Sequence, residues 1–175
     1  YHRDLGDGAD LYSAGRTRGC GGNGVWEGGR LYTSANFVES KSIANGPIRV
    51  MFELTYPAFD AGGTRVTETK RVTLDAGQHL NRFESRYAGA PAAPKAQAAG
   101  IKKHPSALVA QDRALGVLRT WEPVKADGSH FGCGVIVDPA SLAEFAEADG
   151  NVLAVISLPA GAEVTYYAGS GWDKG

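Results

Sequence analysis

The segment Pro47–Leu74, PIRVMFELTYPAFDAGGTRVTETKRVTL, decides the fold class. Over Pro47–Phe59 the side chains of Ile48, Val50, Phe52, Leu54 and Tyr56 fall on one side, and those of Arg49, Glu53 and Thr55 on the other. That is the two-residue period of a strand, with one face toward a core and one toward water or a ligand. Asp60-Ala61-Gly62-Gly63 then supplies two residues tolerant of positive φ, so Thr64–Leu74 is expected to return as an antiparallel partner at the centre of the architecture. One face of this second strand carries Arg65, Thr67, Thr69, Arg71 and Thr73, and the other mixes Val66, Val72 and Leu74 with Glu68 and Lys70. A sheet face this polar is either solvated or lines a ligand cleft.

The same punctuation continues outward. Asp75-Ala76-Gly77 makes a second turn, and further strands are expected at Gln78–Tyr87, Gln97–His104, Leu115–Glu122, Phe131–Asp138, Val152–Leu158 and Glu163–Ala168. About eight antiparallel strands predict an all-β sandwich or closed barrel. Pro139–Ala148 is expected to form the one short helix, with Ser141 as its cap and Glu144 completing a capping box. Gly19–Gly24 neither follows a clear strand nor opens a helix and is read as an irregular loop.

With 175 residues, 43% of them apolar and 21% charged, the chain is read as one globular domain over residues 1–175. Its formal charge is −1 with the basic residues scattered, so the footprint of a nucleic-acid partner is missing. The longest apolar stretches, Val152–Leu158 and Gly132–Val137, are strand length, well short of the roughly 20 residues that cross a bilayer, and no membrane partner is expected. The chain opens on Tyr1 in a polar, loop-like run, which is read as a removed signal peptide or a fragment. Cys20 and Cys133 could form one disulfide, a metal half-site or neither; they are read as separate core thiols.

No nucleophile elbow, phosphate loop, metalloprotease helix or Cys-x-x-Cys pair is present, and no cofactor or metal is expected. Of the four histidines, His79 and His130 read as solvated loop residues. His2 sits in a polar, glycine-rich segment with Asp10 and Tyr12, and His104 ends an apolar run after Lys102 and Lys103. Trp172 lies in Gly169-Ser170-Gly171-Trp172-Asp173-Lys174, a polar setting in which its ring could stack on a sugar.

Several strings in order along the whole chain resemble a bacterial family catalogued as domain of unknown function 4861. They are Tyr1-His2 with Asp10-x-Tyr12 and Gly15-x-Thr17-x-Gly19; Asn45-Gly46-Pro47-Ile48-Arg49; Thr67-Glu68-Thr69-Lys70-Arg71; Leu74-Asp75-Ala76-Gly77; Ala99-Gly100-Ile101 with His104; and Tyr166-Tyr167-Ala168-Gly169 with Gly171-Trp172-Asp173-Lys174. The resemblance implies an antiparallel β-supersandwich similar to sugar-mutarotase and lyase folds, and a chain longer at both ends. It also implies a periplasmic or secreted bacterial setting and oligosaccharide as the ligand class, with members fused in places to unsaturated-uronyl hydrolases.

Uronic acids undergo β-elimination once the carboxylate is neutralised and a base removes the neighbouring proton. Arg71 or Arg49 is the candidate for the carboxylate, because guanidinium grips it at two points. His104 or His2 is the candidate base and Tyr12 the candidate proton donor or acceptor. The expected cluster is therefore His104, Tyr12 and Arg71, with His2, Asp10, Arg49, Glu68 and Trp172 binding substrate. Elimination, as a lyase or dehydratase, is preferred over hydrolysis, for which Asp10 with Glu68 would be the carboxylate pair. A non-catalytic carbohydrate-binding module is the alternative.

Overall fold

The computed structural model describes residues 5, 6, 8, 10, 12–90, 92–124, 128–159 and 163–173, and these form thirteen strands and no helix. In chain order they are β1 (Cys20–Glu27), β2 (Arg30–Tyr32), β3 (Glu39–Asn45), β4 (Arg49–Ala61), β5 (Thr64–Asp75), β6 (Leu80–Ala90), β7 (Ala96–Lys102), β8 (Leu108–Asp112), β9 (Val117–Pro123), β10 (His130–Val137), β11 (Leu142–Ala148), β12 (Asn151–Ser157) and β13 (Glu163–Trp172). They build two antiparallel sheets, a five-stranded one ordered β11-β12-β7-β1-β2 and an eight-stranded one ordered β3-β4-β5-β6-β13-β10-β9-β8. The all-β antiparallel sandwich read from the sequence is the fold.

The deciding hairpin forms as expected, with Ala61 opposite Thr64 around Gly62-Gly63. Its register slips between Tyr56 and Phe59, where Pro57 cannot donate to the ladder and a bulge absorbs it. Two parts of the reading of β4 need correction. The hairpin lies toward one edge of its sheet rather than at the centre, and the apolar side of β4 is only partly covered. Ile48 and Val50 are 76% and 43% exposed. The reason is the unequal width of the sheets: the main contacts between them run from β1, β7 and β12 to β9, β10 and β13, and leave β3 and the start of β4 overhanging, while Phe59 and Ala61 at the end of β4 reach the core.

The core lies between the sheets where they overlap. Val25, Ile101, Val152 and Ile156 of the smaller sheet meet Leu118, Val135, Tyr166 and Ala168 of the larger. A second cluster, Ala98, Leu153 and Val155 with Trp26 and Leu31, covers the far face of the five-stranded sheet.

Two local expectations are overturned. The expected helix over Pro139–Ala148 is instead β11, paired with the fully buried run of β12. Asp149 (φ 49°) and Gly150 (φ 74°) both take the left-handed conformation and close a two-residue hairpin between Ala148 and Asn151. Ser141 caps no helix; its hydroxyl donates to the Asp138 carbonyl in the turn before β11. The expected loop Gly19–Gly24 is largely β1, an interior strand between β7 and β2. Its glycines mark backbone close approach rather than irregularity: a Cβ at Gly22 would run into the Arg18 carbonyl, and one at Gly24 into the Tyr32 carbonyl.

Candidate functional site

On β5, Glu68 points between the sheets, because the Asn23 amide of β1 donates to it at 3.0 Å. Strand alternation therefore turns Thr69, Arg71 and Thr73 to the outer face of the eight-stranded sheet. The register extends this face across neighbouring strands. Arg71 lies opposite Glu53 of β4 and Glu84 of β6, Thr73 opposite Arg82, and Thr69 opposite Arg86. Lys41 of β3 faces Glu53, while Arg82 and Arg86 face Tyr167 and Glu163 of β13. One row across four strands thus reads Lys41, Glu53, Arg71, Glu84, alternating in sign.

These side chains line two adjacent hollows. One, about 270 Å³, is bounded by Glu53, Thr69, Arg71, Glu84, Arg86 and Glu163. The other, about 390 Å³, is bounded by Arg49, Thr73, Asp75, Gln78, Leu80, Arg82 and Tyr167. Arg71 Nη2 sits 3.2 Å from Glu53 Oε2, and Arg86 Nη2 is 3.6 Å from Glu163 Oε2. Arg82 Nη1 is 2.9 Å from Glu84 Oε2 but off the hydrogen-bond direction, so that oxygen is ion-paired without accepting a hydrogen bond. Arg49 grips Asp75 through Nε and Nη2 at 2.6 and 2.7 Å, and this contact holds the Asp75 carboxyl below the ordinary carboxylate range.

Although the face is an outer one, long neighbours close over it: Thr73 is 5% exposed and Glu84 8%. Arg71 Nε and Thr73 Oγ1 are buried there with no hydrogen-bond partner. Buried polar atoms are nearly always partnered, so two such donors two residues apart on one strand face leave hydrogen-bonding capacity unused there. Farther along the same face, on β9, Trp121 is 41% exposed and its ring stacks nearly parallel to that of His130, centroids 5.7 Å apart.

The residues singled out from sequence divide between this cleft and the interior. Tyr12 and His104 do meet: their rings pack edge to face at 5.2 Å, and His104 Nδ1 lies 2.9 Å from Glu122 Oε1. The Tyr12 hydroxyl donates to the Gly19 carbonyl, and burial pushes its phenol well above the usual tyrosine range, so it stays protonated. This group lies between the sheets. Arg71 is on the opposite face of the eight-stranded sheet, so the three-residue cluster does not assemble. Arg49 borders the cleft. Glu68 is sealed in the core, accepting from Asn23 and Ser85 with Lys70 at 3.4 Å. Asp10 is exposed and accepts from the Tyr12 amide, Trp172 donates to Ser129 at the end of β13, and His2 lies outside the described residues. Cys20 and Cys133 are not separate: both are free thiols, and Cys20 packs against the core cluster that holds Cys133.

Sequence reasoning missed Glu53, Arg82, Glu84, Arg86, Glu163 and Tyr167 as site residues. The signal was available in Arg82-x-Glu84-x-Arg86, charges at two-residue spacing on a strand that needed only its register with Arg71. Among the described residues no three His, Cys, Asp or Glu side chains converge as metal ligands.

Comparison with known proteins adds a family to this geometry. The profile described as "Domain of unknown function (DUF4861)" matches residues 1–175. The chain belongs to this family. A relative of this DUF4861 chain, "Uncharacterized protein P7" of Formosa agariphila, is 30% identical over 181 residues. The alignment takes in 99% of this chain but 44% of the relative, so the chain spans less than half the length of the curated relative it matches. No solved structure matches the DUF4861 chain.

Proposed function

We propose that this chain holds uronic-acid-containing oligosaccharide on the outer face of its eight-stranded sheet, as the carbohydrate-recognising part of a polysaccharide-processing protein. One observation carries the reading: Arg71 Nε and Thr73 Oγ1, both buried without a hydrogen-bond partner, lie two residues apart on the same outer face of β5, each lining one of the two hollows. Two adjacent donors suit the two oxygens of a uronate carboxylate. The alternating carboxylates and guanidiniums around them suit sugar hydroxyls, which donate and accept at once. Trp121 offers a ring face two strands beyond Tyr167 for a further sugar unit.

A second reading, β-elimination by this chain, is favoured by the His104–Glu122 contact with Tyr12 beside it. A carboxylate that orients an imidazole and a phenol kept protonated are a base and an acid held together. The intervening sheet separates them from the cleft, which is why binding is put first.

Calorimetry with a tetra-uronate and a neutral tetrasaccharide, alongside absorbance at the unsaturated-uronate band, tests both. The acidic ligand is expected to bind, and Arg71→Met to weaken it about 10- to 100-fold, as a lost charge-assisted hydrogen bond does. Absent binding, or an unaffected Arg71→Met variant, removes the proposal. Absorbance growth abolished by His104→Ala would bring the elimination reading forward.

A further inference from the structure

Stacked sheets normally sit about 10 Å apart, whereas a disulfide needs Cα atoms within roughly 4.4 to 6.8 Å. The start of β1 is closer to the large sheet than that norm. Gly21 has φ 90°, and a Cβ there would collide with the Cβ of Ala168 on β13. The Tyr166 hydroxyl donates to the Gly21 carbonyl at 2.9 Å, fixing the approach. Beside it, the Cys20 thiol donates to the Gly169 carbonyl at 3.0 Å. Gly169 is the cross-strand partner of Gly134, the residue after Cys133, and Cys133 points from β10 into the same core cluster as Cys20.

We propose that Cys20 and Cys133 form a dithiol that closes to an inter-sheet disulfide on exposure to an organic disulfide, tying β1 of the small sheet to β10 of the large one. The two thiols have different roles. Cys20 is partly exposed and so within reach of the oxidant, which makes it the attacking thiol. Cys133 is buried and reached only from Cys20, which makes it the resolving one. The Cys20 thiolate attacks one sulfur of the oxidant RSSR, forming a Cys20–SR mixed disulfide and releasing RS⁻, which takes up the Cys20 proton. Cys133 then gives up its proton and attacks the Cys20 sulfur, expelling a second RSH. Two thiols are oxidised to one disulfide and RSSR is reduced to two RSH.

The test exposes the chain to oxidised glutathione, quenches with iodoacetamide and maps peptides by non-reducing mass spectrometry. The expected result is a mass lower by two hydrogens and a Cys20–Cys133 cross-linked peptide. Closing a loop of roughly 110 residues should raise the melting temperature on the order of 10 °C, reversed by reductant. Cys133→Ser should instead keep glutathione on Cys20. Alkylation of both cysteines in the oxidised wild-type chain, or glutathione retained on its Cys20, would overturn the proposal.

Discussion

Replacing Gly21 with alanine should unfold much of this protein's margin, although it adds one methyl group. The backbone at Gly21 has φ 90°, a conformation that costs an L-residue about 1–2 kcal/mol. The new Cβ would also stand far inside van der Waals contact with the Cβ of Ala168, itself 1% exposed in the core. Overpacking of this kind costs typically about 1–3 kcal/mol, because neither strand can withdraw without losing its ladder. The sum is about 2–5 kcal/mol, a fall on the order of 10 °C for a domain of this size. Urea unfolding followed by circular dichroism measures it. The two terms separate in a double-mutant cycle: Ala168→Gly removes the colliding methyl, so the pair should recover about 1–3 kcal/mol relative to additivity, while the φ term remains. A Gly21→Ala variant within about 0.5 kcal/mol of the parent, the range of an inconsequential surface change, would refute the close approach of the sheets on which the thiol pairing also rests.

Burial pushes the phenols of Tyr87 and Tyr166 far above the usual tyrosine value, so the folded chain keeps protons that the unfolded chain releases above about pH 10. Stability should be level with respect to these groups below pH 10 and fall above it by about 1.4 kcal/mol per pH unit for each, with tyrosinate absorbance from them appearing only as the chain unfolds. Early titration of all the tyrosines in the folded state would contradict this. Glu68→Ala should cost about 3–5 kcal/mol by leaving the largely buried Lys70 ammonium without its carboxylate, and should act on folding rather than on ligand affinity at constant folded fraction. A variant that melts like the parent but loses ligand would return Glu68 to the binding residues.

What was legible in the sequence followed local alternation and turn chemistry. The Pro47–Leu74 hairpin needed only period-2 patterning and Gly62-Gly63, and both are local. Alternation alone could not say how wide the second sheet would be, and so misplaced the start of β4 in the core. The capping pattern Ser141-x-x-Glu144 predicted a helix because it is local too, but the Asp149-Gly150 turn and the buried apolar run Val152–Ile156 of β12 beside it supplied a stronger competing partner. Gly19–Gly24 looked like a loop because its glycines were read for flexibility, whereas at Gly21, Gly22 and Gly24 the missing side chain is what lets backbone or core atoms come close. For the site, the polar face of β5 and Arg71 were readable, and so was the meeting of Tyr12 with His104 as two proton-transfer groups. Which face each occupied depends on sheet register over long separations. A shift of one residue moves a side chain to the other side of the sheet, and this places Arg71 with Glu53 and Glu84 rather than with His104.

The central claim is the location of ligand on the outer face, and an NMR titration of the isotope-labelled chain with a tetra-uronate tests it most directly. The account predicts saturable shifts of the backbone amides around Glu53, Arg71, Thr73, Arg82 and Glu84, with the amides near Tyr12, His104 and Glu122 unmoved. Shifts confined to Tyr12, His104 and Glu122, or none at saturating ligand, would contradict it.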